Sequence, residues 1–184
     1  MNTNPYRLAG WSAFLLALVT IFTSVTFAVG LTVGWDVVGL PNDLASIVMY
    51  SLHILALLGL DKFLKPRPVQ LWSGILAALV IGVLQILFVS RIVGLEATLV
   101  PAYICSSVVA FVYLVYNWQA RQNQSLPNGL TLIGIIGNAG GTLAGVSSFL
   151  AQDHPLVWIG GLIYLLNVVW LFWMSRIWLR NAQA

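Results

Sequence analysis

The sequence has little charge. Of its 184 residues, 7% are Asp, Glu, Lys or Arg, whereas 60% are hydrophobic. Soluble domains carry roughly 25% charged residues, so this chain cannot cover a water-facing surface. Its net charge of +3 would suit nucleic acid, but the basic residues are scattered and form no run that could follow a phosphate backbone. The composition therefore excludes a soluble domain and a nucleic-acid partner, and it leaves the lipid bilayer as the solvent.

Cysteine and histidine are almost absent. Cys105 is the single cysteine, so no disulfide can form within the chain. His53 and His154 are the two histidines, and no motif such as H-E-x-x-H sets histidines and acids at metal-ligand spacing. We therefore predict no metal site, no cofactor and no catalytic residue, and the sequence favours a protein that is not an enzyme.

Long apolar runs make up most of the chain. A helix needs about 20 apolar residues to cross about 30 Å of hydrocarbon, and six uncharged runs meet or approach that length. Nothing alternates with period two as the wall of a β-barrel would. We predict an all-α, polytopic membrane protein, a single domain built as a six-transmembrane-helix bundle. The predicted helices cover about residues 11–34, 44–60, 71–90, 97–118, 130–150 and 155–175.

The basic residues between the predicted helices indicate the orientation, because Lys and Arg are retained on the cytoplasmic side. All but Arg91 fall on the side that holds both termini. We therefore expect both termini in the cytoplasm and a multi-pass protein of a prokaryotic plasma membrane. The basic residues on the terminal side are Arg7, Lys62, Lys65, Arg67, Arg121, Arg176 and Arg180. The opposite loops, including WDVVGLPND, contain Asp36, Asp43, Glu96 and Asp153.

The segment LIGIIGNAGGTLAG, residues 132–145, is rich in glycine. It lacks the Lys and the Ser or Thr that follow the last glycine of a phosphate-binding loop. Gly137, Gly141 and Gly145 recur every four residues instead, so they lie on one helix face, where small residues let a neighbouring backbone approach closely in lipid. Such a ridge packs either within the chain or against another subunit. Helix three has a comparable ridge of Gly74, Ala78 and Gly82.

Polar residues at membrane depth are costly and are therefore candidates for function. Counting 1.5 Å per residue places several of them near the midplane, within about two helical turns of one another in height. Ionisable His53 shares a helix face with Tyr50, and Asn167 lies between Tyr164 and Trp170 as in a small-molecule pocket. For each residue the alternative is a structural hydrogen bond between helices. We call the candidate ligand-binding residues the polar belt: His53, Tyr50, Ser106, Asn138, Asn167, Tyr164 and Trp170.

Two functions fit these features. In the first, the polar belt binds or passes a small neutral or lipophilic molecule; the chain resembles substrate-capture subunits of vitamin transporters in size, span count and cytoplasmic termini. Ala13 and Ala17 match the small-x-x-x-small ridge with which those subunits dock a partner. In the second, the chain is a non-catalytic accessory or assembly subunit whose glycine ridges dock another membrane protein or a second copy. No Asp, Glu, Lys or Arg lies within a predicted span, so proton or sodium coupling would depend on His53 or on neutral oxygens.

Overall fold

The computed structural model describes residues 5–64, 68–149 and 154–183, and within these ranges every regular element is a helix. Six spans are long and apolar enough to cross a membrane, and the sixth consists of α6 and α7 together. The predicted helical class and span number are confirmed at this level. The helices are α1 (Pro5–Val33), α2 (Trp35–Leu64), α3 (Pro68–Val89), α4 (Leu95–Gln122), α5 (Asn128–Ser147), α6 (Pro155–Tyr164) and α7 (Leu166–Asn181). Lys65, Arg67, Leu150 and Asp153, which the sequence analysis used, lie outside the described residues.

The connection between α1 and α2 differs from the prediction. The segment WDVVGLPND is helical, so α2 starts at Trp35 instead of near residue 44. Gly34 alone reverses the chain with φ +113°, a conformation that glycine adopts without strain. The Trp35 ring folds back over Gly30, where a Cβ atom would lie 2.9 Å from it. A glycine at each of these two positions makes a one-residue turn possible, and no loop remains.

The sixth span also differs from the prediction of one continuous helix. It is interrupted at Leu165, where the backbone amide of Leu165 donates to Leu162 O at 3.2 Å and that of Val168 donates to Leu165 O at 3.0 Å. Bonds to the third preceding residue define a tight 3₁₀ turn. The turn comes two residues before Asn167, so it helps to set the position of that amide.

The helices follow one another around a closed ring, with α1 packed on both α2 and α7. Helices α2 and α4 also contact each other, on the side of α3 that faces the interior of the bundle. We call the end that holds both chain termini the terminal end and the opposite end the distal end. Three contacts identify the terminal end: the Tyr6 and Phe63 rings, Gly10 with Leu179, and Gln119 with Gln70.

The packed core occupies the terminal half of the bundle. Its fully buried side chains come from all helices except α6. Ala13 and Ala17 belong to it and are 0% exposed, so their ridge packs within this chain and does not form an outer docking face. The largest buried apolar side chains of this core are Trp170, Trp178, Tyr116, Leu16, Leu57, Leu60, Leu130 and Met174. Ile81 is also buried, but it lies outside this core, level with Tyr50.

Candidate functional site

Two side-chain pairs join α2 and α4 across the interior of the ring. The Tyr50 hydroxyl lies 3.0 Å from the Ser106 hydroxyl. One turn towards the terminal end, His53 Nδ1 lies 3.2 Å from the Tyr113 hydroxyl, which also approaches the His53 carbonyl oxygen at 3.3 Å. Gly74 of α3 lies against Leu57 of α2 and Val112 of α4, so α3 sits outside these pairs. The two pairs therefore face the centre of the bundle.

Trp170 extends this network from α7 to α4. Its indole Nε1 donates to Asn117 Oδ1 at 2.7 Å, and Asn117 Nδ2 in turn donates to the Tyr113 carbonyl oxygen at 2.9 Å. The Tyr113 and Trp170 rings meet edge to face with centroids 5.6 Å apart. Because Trp170 is only 1% exposed, its indole closes the interior at this level.

Asn138 and Asn167 form a reciprocal amide pair between α5 and α7. Asn138 Nδ2 donates to Asn167 Oδ1 at 2.8 Å, and Asn167 Nδ2 donates to Asn138 Oδ1 at 3.2 Å. Asn138 Nδ2 also donates to the Gly134 carbonyl oxygen at 2.7 Å. Both residues are buried, so the pair satisfies polar groups that would be costly without partners in lipid.

The glycine ridge of α5 is covered by helices of the same chain. A Cβ atom at Gly137 would lie 3.1 Å from the Asn167 backbone nitrogen, and one at Gly141 would lie 2.6 Å from the Tyr164 ring. Gly145 contacts Ser107 of α4. On α3, Ala78 is fully buried, whereas the space beside Gly82 is open out to 4.0 Å. The α5 ridge is therefore an internal seam.

Beyond the polar belt, towards the distal end, the fully buried residues are small and several tyrosine and serine side chains stay partly accessible. Tyr50, Ser106 and Tyr164 of the belt are partly accessible, as are Ser46 and Tyr103. We call the region around these five partly accessible side chains the distal crevice. The buried residues of the described chain beyond the belt are all Gly, Ser or Thr: Thr20, Thr26, Gly30, Thr98, Gly140, Gly145, Ser147 and Gly160.

Below the polar belt, towards the terminal end, aromatic side chains fill the interior. Tyr116, Met174 and Trp178 are 0% exposed. Tyr116 Oη and Trp178 Nε1 are buried without a hydrogen-bond partner among the described residues. Together with Tyr113 and Trp170, these three residues form what we call the aromatic plug. The plug lies between the polar belt and the terminal end.

The wall of the distal crevice is thin between α1 and α6. Within the described ranges α6 packs on α5 and meets α7, but its backbone does not approach α1. Aromatic rings bridge the gap at the distal end: the Phe27 and Trp158 centroids are 6.2 Å apart, and the Phe27 and Trp35 centroids are 5.5 Å apart. All three rings are more than 40% exposed. Among the described residues, side chains alone bridge α1 and α6 here.

The polar belt contains no formally charged side chain except when His53 is protonated. Asp43 lies seven residues before Tyr50 on the same face of α2, and its Oδ1 accepts a hydrogen bond from Gln85 Nε2 at 2.9 Å near the distal end. In the described part of the chain no three His, Cys, Asp or Glu side chains are placed to hold a metal ion. Hydroxyl, amide, imidazole and indole groups therefore supply the hydrogen-bonding capacity of the belt.

Sequence reasoning missed three residues that matter here, Tyr103, Tyr113 and Asn117. Tyr113 and Asn117 follow Ser106 by seven and eleven residues, the spacing of one helix face. That periodicity was the available signal, whereas the proximity of Tyr103 to the crevice depends on how α4 packs. The structure brings Tyr50 and Ser106 together, as it does Asn138 and Asn167, but it links His53 to a tyrosine outside the predicted set.

The chain matches no protein-family model, and it has no significant match among curated proteins or solved structures.

Proposed function

We propose that this protein binds a small neutral or lipophilic molecule in the distal crevice, with the Tyr50 and Ser106 hydroxyls at its floor. The observation that carries the proposal is the contrast between the two halves of the bundle. In the terminal half large apolar side chains are fully buried, whereas beyond the polar belt the fully buried described residues are Gly, Ser and Thr, and Tyr50, Tyr103 and Tyr164 stay partly accessible. A ligand held among these tyrosines would bury them.

The lining favours a ligand without net charge. Tyrosine rings offer apolar faces with a polar edge, and hydroxyl groups can donate or accept a hydrogen bond. Tyr50 and Ser106 can each release their mutual bond to contact a ligand without leaving a buried charge unpaired. His53 is 4% exposed and bonded to Tyr113, so its role in this proposal is to hold Tyr113 in place.

Entry from the membrane is consistent with the thin wall between α1 and α6. A lipophilic molecule could pass between these helices if the Phe27 and Trp158 rings separated. Onward passage to the terminal end would require the aromatic plug to move as well. We therefore propose binding as the function of this conformation, within a prokaryotic plasma membrane and with the termini on the cytoplasmic side, as the basic residues predict.

Retention of a ligand tests the proposal. The protein would be purified in mild detergent and extracted, and retained small molecules would be quantified by mass spectrometry relative to protein. We expect a near-stoichiometric compound in the wild type that is lost in Tyr50→Phe and Ser106→Ala. The matched control is Ser51→Ala, because Ser51 is exposed on another face of α2 and bonds only Ile47 O.

A second variant separates loss of ligand from loss of fold. Ser46→Trp would place a large ring in the distal crevice, so the ligand should be displaced while the thermal stability of the protein is kept. Adding atoms to a well-packed core lowers stability by about 1–3 kcal/mol. If Ser46→Trp has an effect of that size, the region around Ser46 has no room for a ligand. Equal retention by the wild type, Tyr50→Phe and Ser46→Trp would contradict binding at this place.

An assembly role has less support from the geometry. The α5 ridge contacts α4, α6 and α7 of the same chain, and Ala13 and Ala17 are buried in the core. A protein partner or a second copy would therefore have to use a different surface from the ridges that suggested it.

A further inference from the structure

Two adjoining clefts lie where α1 meets α7 at the terminal end, on the outside of the bundle. Their volumes are about 330 Å³ and 410 Å³. The first is lined by Phe14, Phe172, Arg176 and Arg180, among others, and the second by Arg7 and Trp11. Leu179 and Gln183 line both clefts. The two clefts are therefore continuous, and we call them together the α1–α7 cleft.

The chemistry of the α1–α7 cleft changes along its length. Phe172, Arg176 and Arg180 are spaced four residues apart on α7, so each lies about 6 Å nearer the terminal end than the one before. Helix α1 runs the opposite way and presents Phe14 deeper than Arg7. The Phe14 and Phe172 rings pack with centroids 5.6 Å apart. Both helices thus place aromatic rings at the deeper end and guanidinium groups at the membrane edge.

The charge of the α1–α7 cleft is of one sign. Arg7, Arg176 and Arg180 are exposed, and among the described residues no Asp or Glu lines either part of the cleft. Guanidinium groups match phosphate oxygens with paired hydrogen bonds. Basic pockets between transmembrane helices near the membrane surface are sites for anionic headgroups. The rings provide an apolar surface for an acyl chain on the membrane side of these cations.

We propose that the α1–α7 cleft is a binding site for an anionic phospholipid. The phosphate contacts Arg176 and Arg180, the rest of the headgroup extends towards Arg7, and an acyl chain follows the Phe14 and Phe172 rings into the membrane. A free phosphate ion would use the cations but leave the rings unoccupied, so the ring surface favours the lipid. This inference is independent of the ligand proposed for the distal crevice.

Competitive lipid binding tests it. The full-length protein in mild detergent would be titrated with phosphatidylglycerol or phosphatidylcholine of matched acyl chains, and bound lipids would be counted by native mass spectrometry. We expect a clear preference of the wild type for phosphatidylglycerol. Since each cation contributes about 1 kcal/mol to headgroup attraction, Arg176→Gln with Arg180→Gln should weaken phosphatidylglycerol binding about thirtyfold.

Matched variants make the result specific. Arg121→Gln removes an exposed cation that lies at the same end of the bundle but outside the cleft, and it should leave the preference unchanged. Phe172→Ala should weaken both lipids, whereas the lysine variants Arg176→Lys with Arg180→Lys should retain most of the preference. Excess inorganic phosphate should not displace the lipid.

Three outcomes would overturn the proposal. They are equal binding of the two lipids by the wild type, a loss in Arg121→Gln as large as that in the double glutamine variant, and displacement of the lipid by inorganic phosphate. If the double glutamine variant fails to fold, the lysine pair and Phe172→Ala decide: a lysine pair without preference, or an unchanged Phe172→Ala, contradicts the site.

Discussion

Two adjacent glycines of α6 provide a matched pair for testing the α5–α6 packing. A Cβ atom at Gly160 would lie 2.6 Å from the Gly140 carbonyl oxygen and 2.7 Å from the Ala144 backbone nitrogen, whereas one at Gly161 meets nothing within 4 Å. An ordinary contact begins at 3.4 Å, so Gly160→Ala would require the two backbones to separate by about 0.8 Å, the difference between 3.4 and 2.6 Å. Because the obstacle is backbone, no side chain can rotate away to relieve it.

The expected effects of the two substitutions have opposite signs. Gly161→Ala should stabilise α6 by up to about 1 kcal/mol, because alanine favours the helix over glycine. Gly160→Ala makes the same local gain but adds an overpacking cost of about 1–3 kcal/mol. The two variants should therefore differ by about 1–3 kcal/mol in their free energy of unfolding.

Thermal unfolding in mild detergent, followed by circular dichroism, measures this difference. For a chain of this size 1 kcal/mol corresponds to about 2–4 °C in Tm, so Gly160→Ala should melt several degrees below Gly161→Ala. If the two variants melt together, or if Gly161→Ala is the less stable, then α5 and α6 do not make the backbone contact described here.

Three further predictions concern the polar belt and the threading. Removing the amide pair by Asn138→Ala and Asn167→Ala should give a double-mutant coupling of about 0.6–2 kcal/mol in unfolding experiments, and strictly additive effects would refute the pair. Tyr113→Phe should cost about 1–3 kcal/mol because it leaves His53 unpaired. Tyr116→Phe should be close to neutral because the Tyr116 hydroxyl has no partner among the described residues, and equal melting temperatures of the two variants would count against the network. Reporter enzymes fused within the α3–α4 and α4–α5 connections should be active on opposite sides of the membrane, with the α4–α5 site cytoplasmic, and a shared compartment would disprove the threading.

Run length and hydropathy were sufficient to predict the six spans, because each crossing needs a fixed length of apolar helix. They failed for the start of α2. Gly39, Pro41 and Asn42 are residues of turns, but here the Thr26 hydroxyl donates to Asn42 Oδ1 at 2.8 Å and Gln85 bonds Asp43. These tertiary contacts hold the segment in a helix against its local preference.

The interruption at Leu165 had no signal in the sequence. No proline lies there, and the turn coincides with the close approach of Gly137 to the Asn167 backbone, a contact that exists only once α5 and α7 have packed. Glycine spacing predicted a close-packed face on α5 but could not name its partners. Which helix covers a ridge depends on the order of helices around the ring, and a single sequence does not contain that order.

Membrane depth was sufficient to select Tyr50, His53 and Ser106 as candidates, since their heights follow from the rise of a helix. It did not show that the interior is filled on one side of them and open on the other. That contrast arises from side chains on four or more helices. Trp170 and Trp178, for example, face inwards because of how α7 packs.

The central claim is that interior side chains are accessible in the distal half of the bundle and closed off in the terminal half. Cysteine labelling measures this difference directly. In a Cys105→Ala background, Ser46→Cys and Met174→Cys would be exposed in native membranes to a small, water-soluble thiol reagent, with labelling after denaturation as the reference. We predict that the cysteine at position 46 reacts readily and that the one at position 174 reacts only after unfolding. Protection of both positions, or equal reaction of both, would contradict the distal crevice and the function built on it.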